Sequence, residues 1–215
     1  MNPRIYFRYF IYLSVAMGPS VARSDPAVDF FHAIRIDDAG TVKSLLQHGF
    51  DPNVRDPNGQ TGLVLALQTD SLRVAAALAA SPTVQVDAKN QAGETALMMA
   101  ALKGDLVWCR RLLEQGAAVN RAGWAPLHYA ASGPQPQVVA LLLERGAEIE
   151  AESPNRTTPL MMAARYGSEA GVDLLLARGA DPMRRNELNL AAADFAGLGG
   201  REALSKRLTV RRSVL

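Results

Sequence analysis

The sequence predicts an all-α solenoid of stacked helix-turn-helix units that are joined by hairpin-like turns. Residues that open a helix recur with spacings of 34, 30, 33 and 33 residues, at Thr61, Thr95, Ala125, Thr158 and Ala191. A short apolar helical segment follows each of the first four positions, and a Gly-Ala pair closes most units. Self-similarity with a period of about 20 to 50 residues is typical of repeat proteins, in which each unit packs against its neighbours.

The clearest unit begins at Thr158. This threonine followed by Pro159 predicts a helix start, because its hydroxyl can cap the first turn and proline fits the first helical position. Gly167 is expected to end the helix, since glycine carries no Cβ penalty there. A second helix contains the leucine run 174–176 and ends at Gly179. Neither helix can bury its apolar face alone, so the unit requires neighbours of the same kind.

Residues 1–22 are typical of a secretory signal peptide. Arg4 and Arg8 form a basic start, residues 9–17 form an apolar middle, and small residues precede a cleavage site after Ala22. A membrane anchor is the alternative, but the apolar run has about half of the roughly 20 residues that a spanning helix needs. Cleavage would leave 193 residues (215 − 22) with a net charge of 0 (+2 − 2). The mature chain is therefore expected in the periplasm or outside the cell, with no membrane span.

The single cysteine, Cys109, cannot form an internal disulfide bond. Packing alone must therefore stabilise an exported chain of this length. Cys109 lies in a helical pattern with Leu106, Leu112 and Leu113, and is predicted to be a small buried apolar side chain. A reactive thiol is the alternative.

The repeated segments are TGLVLAL, TALMMAALKGD, APLHYAASG and TPLMMAARYGS, and Gly-Ala pairs follow at 116–117, 146–147 and 179–180. This pattern resembles the ankyrin repeat, whose signature combines T-P-L-H-x-A-A with a later L-L-L-x-x-G-A-D-x-N. The resemblance covers about residues 26 to 208. It implies an N-terminal cap at about 26–55, repeats at about 56–89, 90–121, 122–152 and 153–185, and a C-terminal cap at about 186–208. Polar residues should cover the last apolar helix, among them Arg201, Glu202, Lys206 and Arg207.

No repeat holds the complete T-P-L-H, and the third and fourth repeats show further departures. His128 occupies the family's structural histidine position, but Ala125 replaces the usual threonine, so a packing role is predicted and a ligand or catalytic role is the alternative. The turn from Asn120 to Gly123 is short, which implies a truncated hairpin followed directly by Trp124. Arg156 stands where the family usually has glycine, and predicts an altered turn.

In ankyrin-repeat proteins the usual contact surface combines the hairpin tips with the exposed part of the first helices, on the concave face. Carried over to this sequence, it implies a partner-binding set that mixes basic, polar and aromatic residues: Arg55, Asn58, Gln60, Lys89, Gln91, Glu94, Leu102, Lys103, Arg121, Trp124, Asn155, Arg156, Arg165, Tyr166, Arg184 and Arg185. Tryptophan, tyrosine and arginine most often anchor interfaces. Trp124 is the best single candidate, although it could instead fill the gap left by the short turn.

No catalytic residue, metal ligand or cofactor is predicted. The three histidines, His32, His48 and His128, lie in different repeats, and the common nucleophile, zinc and phosphate-loop motifs are absent from the sequence. The methionine pairs 98–99 and 161–162 could bind a soft metal, but core packing is the favoured interpretation. A neutral chain without a basic stripe is not expected to bind nucleic acid.

The sequence therefore favours a monomeric, exported, non-enzymatic protein that binds another protein. One role is to support an envelope enzyme, for instance one that deals with stress. The other is that of an inhibitor or immunity protein that blocks a toxin or hydrolase. The neutral charge favours neither role.

Overall fold

A computed structural model of the protein describes residues 25 to 212, and the predicted signal peptide lies outside the described residues. Within this range the chain folds into twelve helices and no strand. They are α1 (Pro26–Arg35), α2 (Ala39–Gln47), α3 (Gly62–Gln68), α4 (Leu72–Ala79), α5 (Ala96–Lys103), α6 (Leu106–Glu114), α7 (Pro126–Ser132), α8 (Pro136–Glu144), α9 (Pro159–Tyr166), α10 (Glu169–Ala177), α11 (Ala192–Leu198) and α12 (Glu202–Arg212). Consecutive helices pack in six pairs, which confirms the predicted all-α solenoid.

The pairs stack side by side along two rows. The first helices of the pairs pack in one row, from α1 through α3, α5, α7 and α9 to α11, and second helices pack beside them, α2 on α4, α6 on α8 and α8 on α10. Fully buried side chains such as Phe30, Leu97, Leu127 and Leu160 fill the space between the rows. Because each pair contacts only its neighbours, the stability of the chain is the sum of local interfaces.

Two of the first helices, α5 and α9, begin at reciprocal caps. The backbone N–H of Met161 donates to the hydroxyl of Thr158 at 3.4 Å, and the N–H of Thr158 donates to the Sδ of Met161 at 3.4 Å. In four repeats the backbone N–H of the N-cap residue donates to the side chain at the third helical position. The acceptors are Met98, His128, Met161 and Asp194. Each cap satisfies a donor that a helix end would otherwise leave unpaired.

Gly167 ends α9 for a different reason from the one expected. Its φ of −81° and ψ of −179° describe an extended backbone, which any residue can adopt. A Cβ at this position, however, would lie 2.1 Å from the carbonyl oxygen of Ala131 in α7. In the same way, a Cβ added at Gly133 would lie 2.8 Å from the carbonyl oxygen of Leu102, and one added at Gly199 would lie 2.6 Å from that of Arg165. Glycine is thus required by the close approach of neighbouring repeats.

A buried polar side chain organises four of the hairpin turns. Its oxygen accepts the backbone N–H of the residue four positions later at 2.8 to 3.0 Å, in Asp56, Asn90, Ser153 and Asn186. Arg156 has a φ of +61°, the left-handed conformation that Gly59 and Gly93 adopt at the same turn position. The prediction of an altered turn at Arg156 is therefore wrong, because the residue accepts a conformation that favours glycine. Its ion pair with Glu152, 3.1 Å long, helps to hold it there.

The third turn is short, as its spacing implies. The side chain of Asn120 bonds to two backbone groups of the following repeat at 2.9 and 2.7 Å, and Asn53 makes the equivalent pair of bonds at 2.8 and 2.9 Å. The left-handed Gly123 comes three residues after Asn120, which leaves no room for a hairpin. Trp124 follows and packs edge-on against His128, with the ring centroids 5.3 Å apart.

Cys109 is fully buried in α6. Burial, with a smaller contribution from the charge of Asp105, raises the pKa of its thiol to about 12. The thiol therefore stays protonated at neutral pH, and the prediction of a buried apolar side chain is confirmed. Among residues 25 to 212, none of the helices combines the length and the apolar character needed to cross a membrane.

Candidate functional site

The helices α3, α5, α7, α9 and α11 and the turns before them form one face of the solenoid, called here the first-helix face. The structure places seven of the sixteen predicted contact residues in cavities, at two positions along the stack. At the N-terminal end, Arg55 and Asn58 line a cavity of about 570 Å³ together with Arg35 and Asp56. Further along the face, Leu102, Trp124, Asn155, Arg165 and Tyr166 line two adjoining cavities. The other predicted residues line none of these three.

The two adjoining cavities form one continuous groove. The first has a volume of about 430 Å³ and receives side chains from α5, α7 and α9: Leu102, Trp124, His128, Tyr129, Ser132, Met162 and Tyr166. The second, of about 280 Å³, shares three of them and extends to α11: Trp124, Asn155, Thr157, Met162, Arg165, Tyr166, Asn186, Leu188, Leu190, Phe195 and Leu198. These residues together are called the apolar groove below.

Large apolar side chains in the groove are unusually exposed. Their exposed fractions are 41% for Leu102, 36% for Trp124, 56% for Tyr166, 71% for Leu188 and 57% for Leu198. Single exposed apolar residues are common on protein surfaces, but a contiguous group marks an interaction site. The structure therefore brings three predicted contact residues, Leu102, Trp124 and Tyr166, into one apolar surface.

Arg165 is the one charged residue in the lining of the groove. Its guanidinium lies 5.0 Å from the centroid of the Tyr166 ring, a cation–π distance, and it forms no ion pair within residues 25 to 212. The phenol of Tyr129 donates to the Oε1 of Glu94 at 3.1 Å. Burial, followed by the charge of Glu94, raises the pKa of Tyr129 to about 12, so this phenol stays protonated. The lining is thus mainly apolar, with polar groups from Ser132, Asn155, Thr157 and Asn186 and a single positive charge.

His128 forms part of the groove floor and is fully buried. Its Nδ1 accepts the N–H of Ala125 at 3.1 Å, and this fixes the tautomer in which Nε2 donates to the carbonyl of Thr157 at 2.9 Å. Burial lowers the pKa of the imidazole, and a proton on Nδ1 would also face the Ala125 N–H. Nδ1 therefore caps the first helix of its own repeat, while Nε2 holds the third repeat against the fourth.

Replacement of His128 by methionine is expected to reduce the acid sensitivity of the fold. The lowered pKa means that the unfolded state takes up a proton first as the pH falls below about 6.5. The contribution of His128 to the free energy of unfolding should therefore be constant above this pH and fall by up to about 1.4 kcal/mol per pH unit below it. Met98 and Met161 show that methionine can cap this position without ionising. Urea titrations of the wild type and His128→Met at pH 7.5 and 5.5 test this. An equal fall in the free energy of unfolding of both proteins between the two pH values would contradict it.

Most of the predicted cationic contact residues are bound within the protein. They support turns or neighbouring repeats: Lys103 pairs with Asp70 at 2.6 Å, Arg156 with Glu152, and Arg184 with Glu150 and Glu152, while Arg121 and Arg185 donate to the carbonyls of Gly93 and Asn189. Exposed ion pairs of this kind contribute little to stability. Among the predicted cations, Lys89 and Arg165 have neither an ion pair nor a side-chain hydrogen bond within the described residues, and of these two only Arg165 lines the groove.

The sequence analysis missed several groove residues. Tyr129, Met162 and Phe195 stand four positions after the N-cap residues of α7, α9 and α11, and the implied contact set had included helix positions seven and eight after the N-cap. Leu188 and Leu198 belong to the last repeat, and the predicted contact set ended at Arg185. The aligned repeats held the necessary signal, since side chains at positions four and seven or eight share one face of a helix. Within residues 25 to 212, no group of three or more metal-binding side chains occurs.

Comparison with known proteins agrees with this architecture. The family model described as "Ankyrin repeats (3 copies)" matches residues 30–121, 82–153 and 121–186. The human SH3 and multiple ankyrin repeat domains protein 2 is 32% identical over 176 residues, which are 79% of this chain and 10% of that protein. The tyrosine-protein kinase Shark of Drosophila melanogaster is 34% identical over 126 residues, 57% of this chain and 13% of the kinase. The chain thus spans about a tenth of the length of these relatives.

A solved structure covers nearly the whole solenoid. It is the predatory endopeptidase of Bdellovibrio bacteriovorus in complex with an immunity protein, and one of its chains superposes with a TM-score of 0.70 and 27% identity. The match covers 84% of this chain and 96% of that chain. Together with the repeat period and the six stacked helix pairs, these similarities show that the chain belongs to the ankyrin-repeat family.

Proposed function

We propose that this chain is an exported, monomeric, non-enzymatic protein that binds a protein partner through the apolar groove and the neighbouring hairpin turns. Ankyrin repeats are modules of protein–protein interaction, and five exposed apolar side chains in one groove support this part of the chain as the contact surface. The stack is already ordered, so binding would cost little backbone entropy. Export rests on residues 1–22 of the sequence.

The role that we favour is that of an inhibitor or immunity protein that blocks a hydrolase or toxin in the periplasm. The observation in favour is the likeness to a chain from the complex of an endopeptidase with an immunity protein, over 96% of that chain. A helper that supports an envelope enzyme would use the same groove, so the effect on the partner must distinguish the two roles.

The groove is tested by capturing partners with the mature protein, from Arg23 onward, in an envelope extract of the producing cell. The double variant Trp124→Ala, Tyr166→Ala is expected to lose the partner, because truncating two central aromatic anchors costs on the order of 100-fold or more in affinity. The matched control is Leu72→Ala, Val107→Ala, which removes exposed apolar side chains from the second helices α4 and α6. Equal capture by both double variants would place the contact surface elsewhere.

The role is tested by adding the mature protein to the captured partner at a stoichiometric ratio. An inhibitor would suppress hydrolysis by the partner, and a helper would raise its activity or its melting temperature. Suppression should vanish with Trp124→Ala, Tyr166→Ala. Turnover of substrate by the purified protein alone would contradict the non-enzymatic proposal.

A further inference from the structure

We infer that the apolar groove takes a short segment of the partner that carries two bulky apolar side chains with an acidic side chain between them. This inference rests on the proposed function and specifies the chemistry of the partner. It follows from the arrangement of the two cavities and from the single charge that lines them.

The two cavities supply two adjoining subsites with large apolar side chains, and Asn155, Thr157 and Asn186 add polar groups to the second. The first lies among α5, α7 and α9, and the second lies between α9 and α11. Neighbouring helices pack with their axes about 10 Å apart, so the centres of the subsites are separated by roughly one repeat. Trp124, Met162 and Tyr166 form the shared wall. One partner side chain can therefore enter on each side of this wall.

The charge in the lining specifies the residue between the two anchors. Arg165 lines the second cavity, stacks on Tyr166 at the shared wall, and has no ion pair within the described part of the chain. An apolar segment that covered this guanidinium would remove it from water without compensation, which opposes binding. A carboxylate would instead accept charge-assisted hydrogen bonds from the guanidinium. The groove thus favours acidic segments and rejects basic ones.

The N-terminal cavity has a different character. Its lining carries both signs of charge, and Arg35 is already paired with Asp56 at 3.4 Å. Arg55 donates to the carbonyl of Gly59 at 3.0 Å within its own turn. The charged residues of this lining, Asp25, Arg35, Arg55 and Asp56, sum to zero, so the cavity offers no net charge that would select a partner of one sign. The preference therefore belongs to the apolar groove.

A library of random dodecapeptides displayed on phage is the probe for this chemistry. Selection on the mature wild-type protein is expected to enrich sequences with two bulky apolar residues that flank Asp or Glu. Selection on Arg165→Glu should enrich Lys or Arg at the same place, and selection on Arg165→Gln should show no preference for charge. The melting temperature and circular dichroism of each variant confirm that it is folded. An acidic preference that persists in Arg165→Glu would overturn the assignment to this arginine.

The affinity of a synthetic copy of the most enriched peptide gives the second measurement. Trp124→Ala should weaken its binding about 30-fold, and Arg165→Glu about tenfold, with recovery when the acidic residue of the peptide is changed to lysine. Val107→Ala, on α6, is the matched control and should leave the affinity unchanged. Equal loss in Val107→Ala and Trp124→Ala would overturn the inference.

Two further outcomes would also overturn it. Failure to enrich any peptide would mean that the groove does not take such a segment, while capture of the native partner could still succeed and would leave the proposed function standing. Sedimentation equilibrium that shows a dimer of the wild type and a monomer of Leu188→Ser would mean that a second copy of the chain covers the groove.

Discussion

Gly167→Ala is expected to lower the free energy of unfolding by about 3 kcal/mol or more, and the melting temperature by about 10 °C. A Cβ at this position would lie 2.1 Å from the carbonyl oxygen of Ala131 and 3.0 Å from the Cα of Ala163. Both neighbours are backbone atoms of packed helices, so α7 and α9 must move apart to admit the methyl group. Since each repeat contacts only its neighbours, the loss falls on the interface between the fourth and fifth helix pairs, α7–α8 and α9–α10.

The matched control is Gly197→Ala. Gly197 lies in the exposed part of α11, and the nearest atom to its added Cβ would be the hydroxyl of Ser205 at 3.8 Å, an ordinary contact. Alanine in a helix is favoured over glycine by about 0.5 to 1 kcal/mol, so this variant should be neutral or slightly more stable. Thermal and urea unfolding measure the stability of both variants against the wild type. Equal stability of Gly167→Ala and the wild type would mean that the repeats do not pack as closely as described.

The repeat period and the helix caps made the fold predictable from the sequence. Thr158 and Pro159 start α9 where the sequence placed the helix, and the spacing after Asn120 indicated the missing hairpin. The reason for Gly167 was not predictable in this way. It depends on a contact with Ala131, 36 residues earlier (167 − 131), and a local pattern carries no information about the distance between backbones of different repeats.

The site was predictable in part. Leu102, Trp124 and Tyr166 were identified from the family resemblance, and they meet in the apolar groove. The pairing of charges at the turns could not be predicted from the sequence. Arg184 reaches two carboxylates of the preceding repeat, Glu150 and Glu152, only once the repeats are stacked. Desolvation by burial is the main cause that raises the pKa of Glu150, against the neighbouring Arg184 charge. The predicted contact set therefore included cations that are already engaged in ion pairs within the protein.

Arg201→Ala is expected to destabilise the C-terminal end by about 3 kcal/mol. The sequence suggested that this arginine covers the last helix from the solvent side, but its Nη1 instead lies 3.0, 3.0 and 2.9 Å from the carbonyl oxygens of Ala163, Ala164 and Gly167 at the end of α9. The carbonyls of Ala164 and Gly167 have no further turn of helix to bond to, whereas that of Ala163 also accepts the N–H of Gly167 at 3.0 Å. Hydrogen bonds from a charged donor are stronger than neutral ones, and loss of the donor leaves partly buried acceptors unsatisfied.

Arg207→Ala is the matched control for Arg201→Ala, because both arginines belong to the last helix pair and both contact the preceding pair. Arg207 forms ion pairs with Asp173 at 3.1 Å and Glu169 at 3.9 Å, and all three side chains are largely exposed. Exposed pairs contribute less than about 1 kcal/mol, so its loss should scarcely change the urea midpoint. If α11 and α12 fray in Arg201→Ala, amide exchange should rise there first. Binding to the second cavity of the apolar groove should then weaken as well, because α11 lines it. Equal urea midpoints for the two variants would show that the bonds to α9 contribute no more than a surface ion pair.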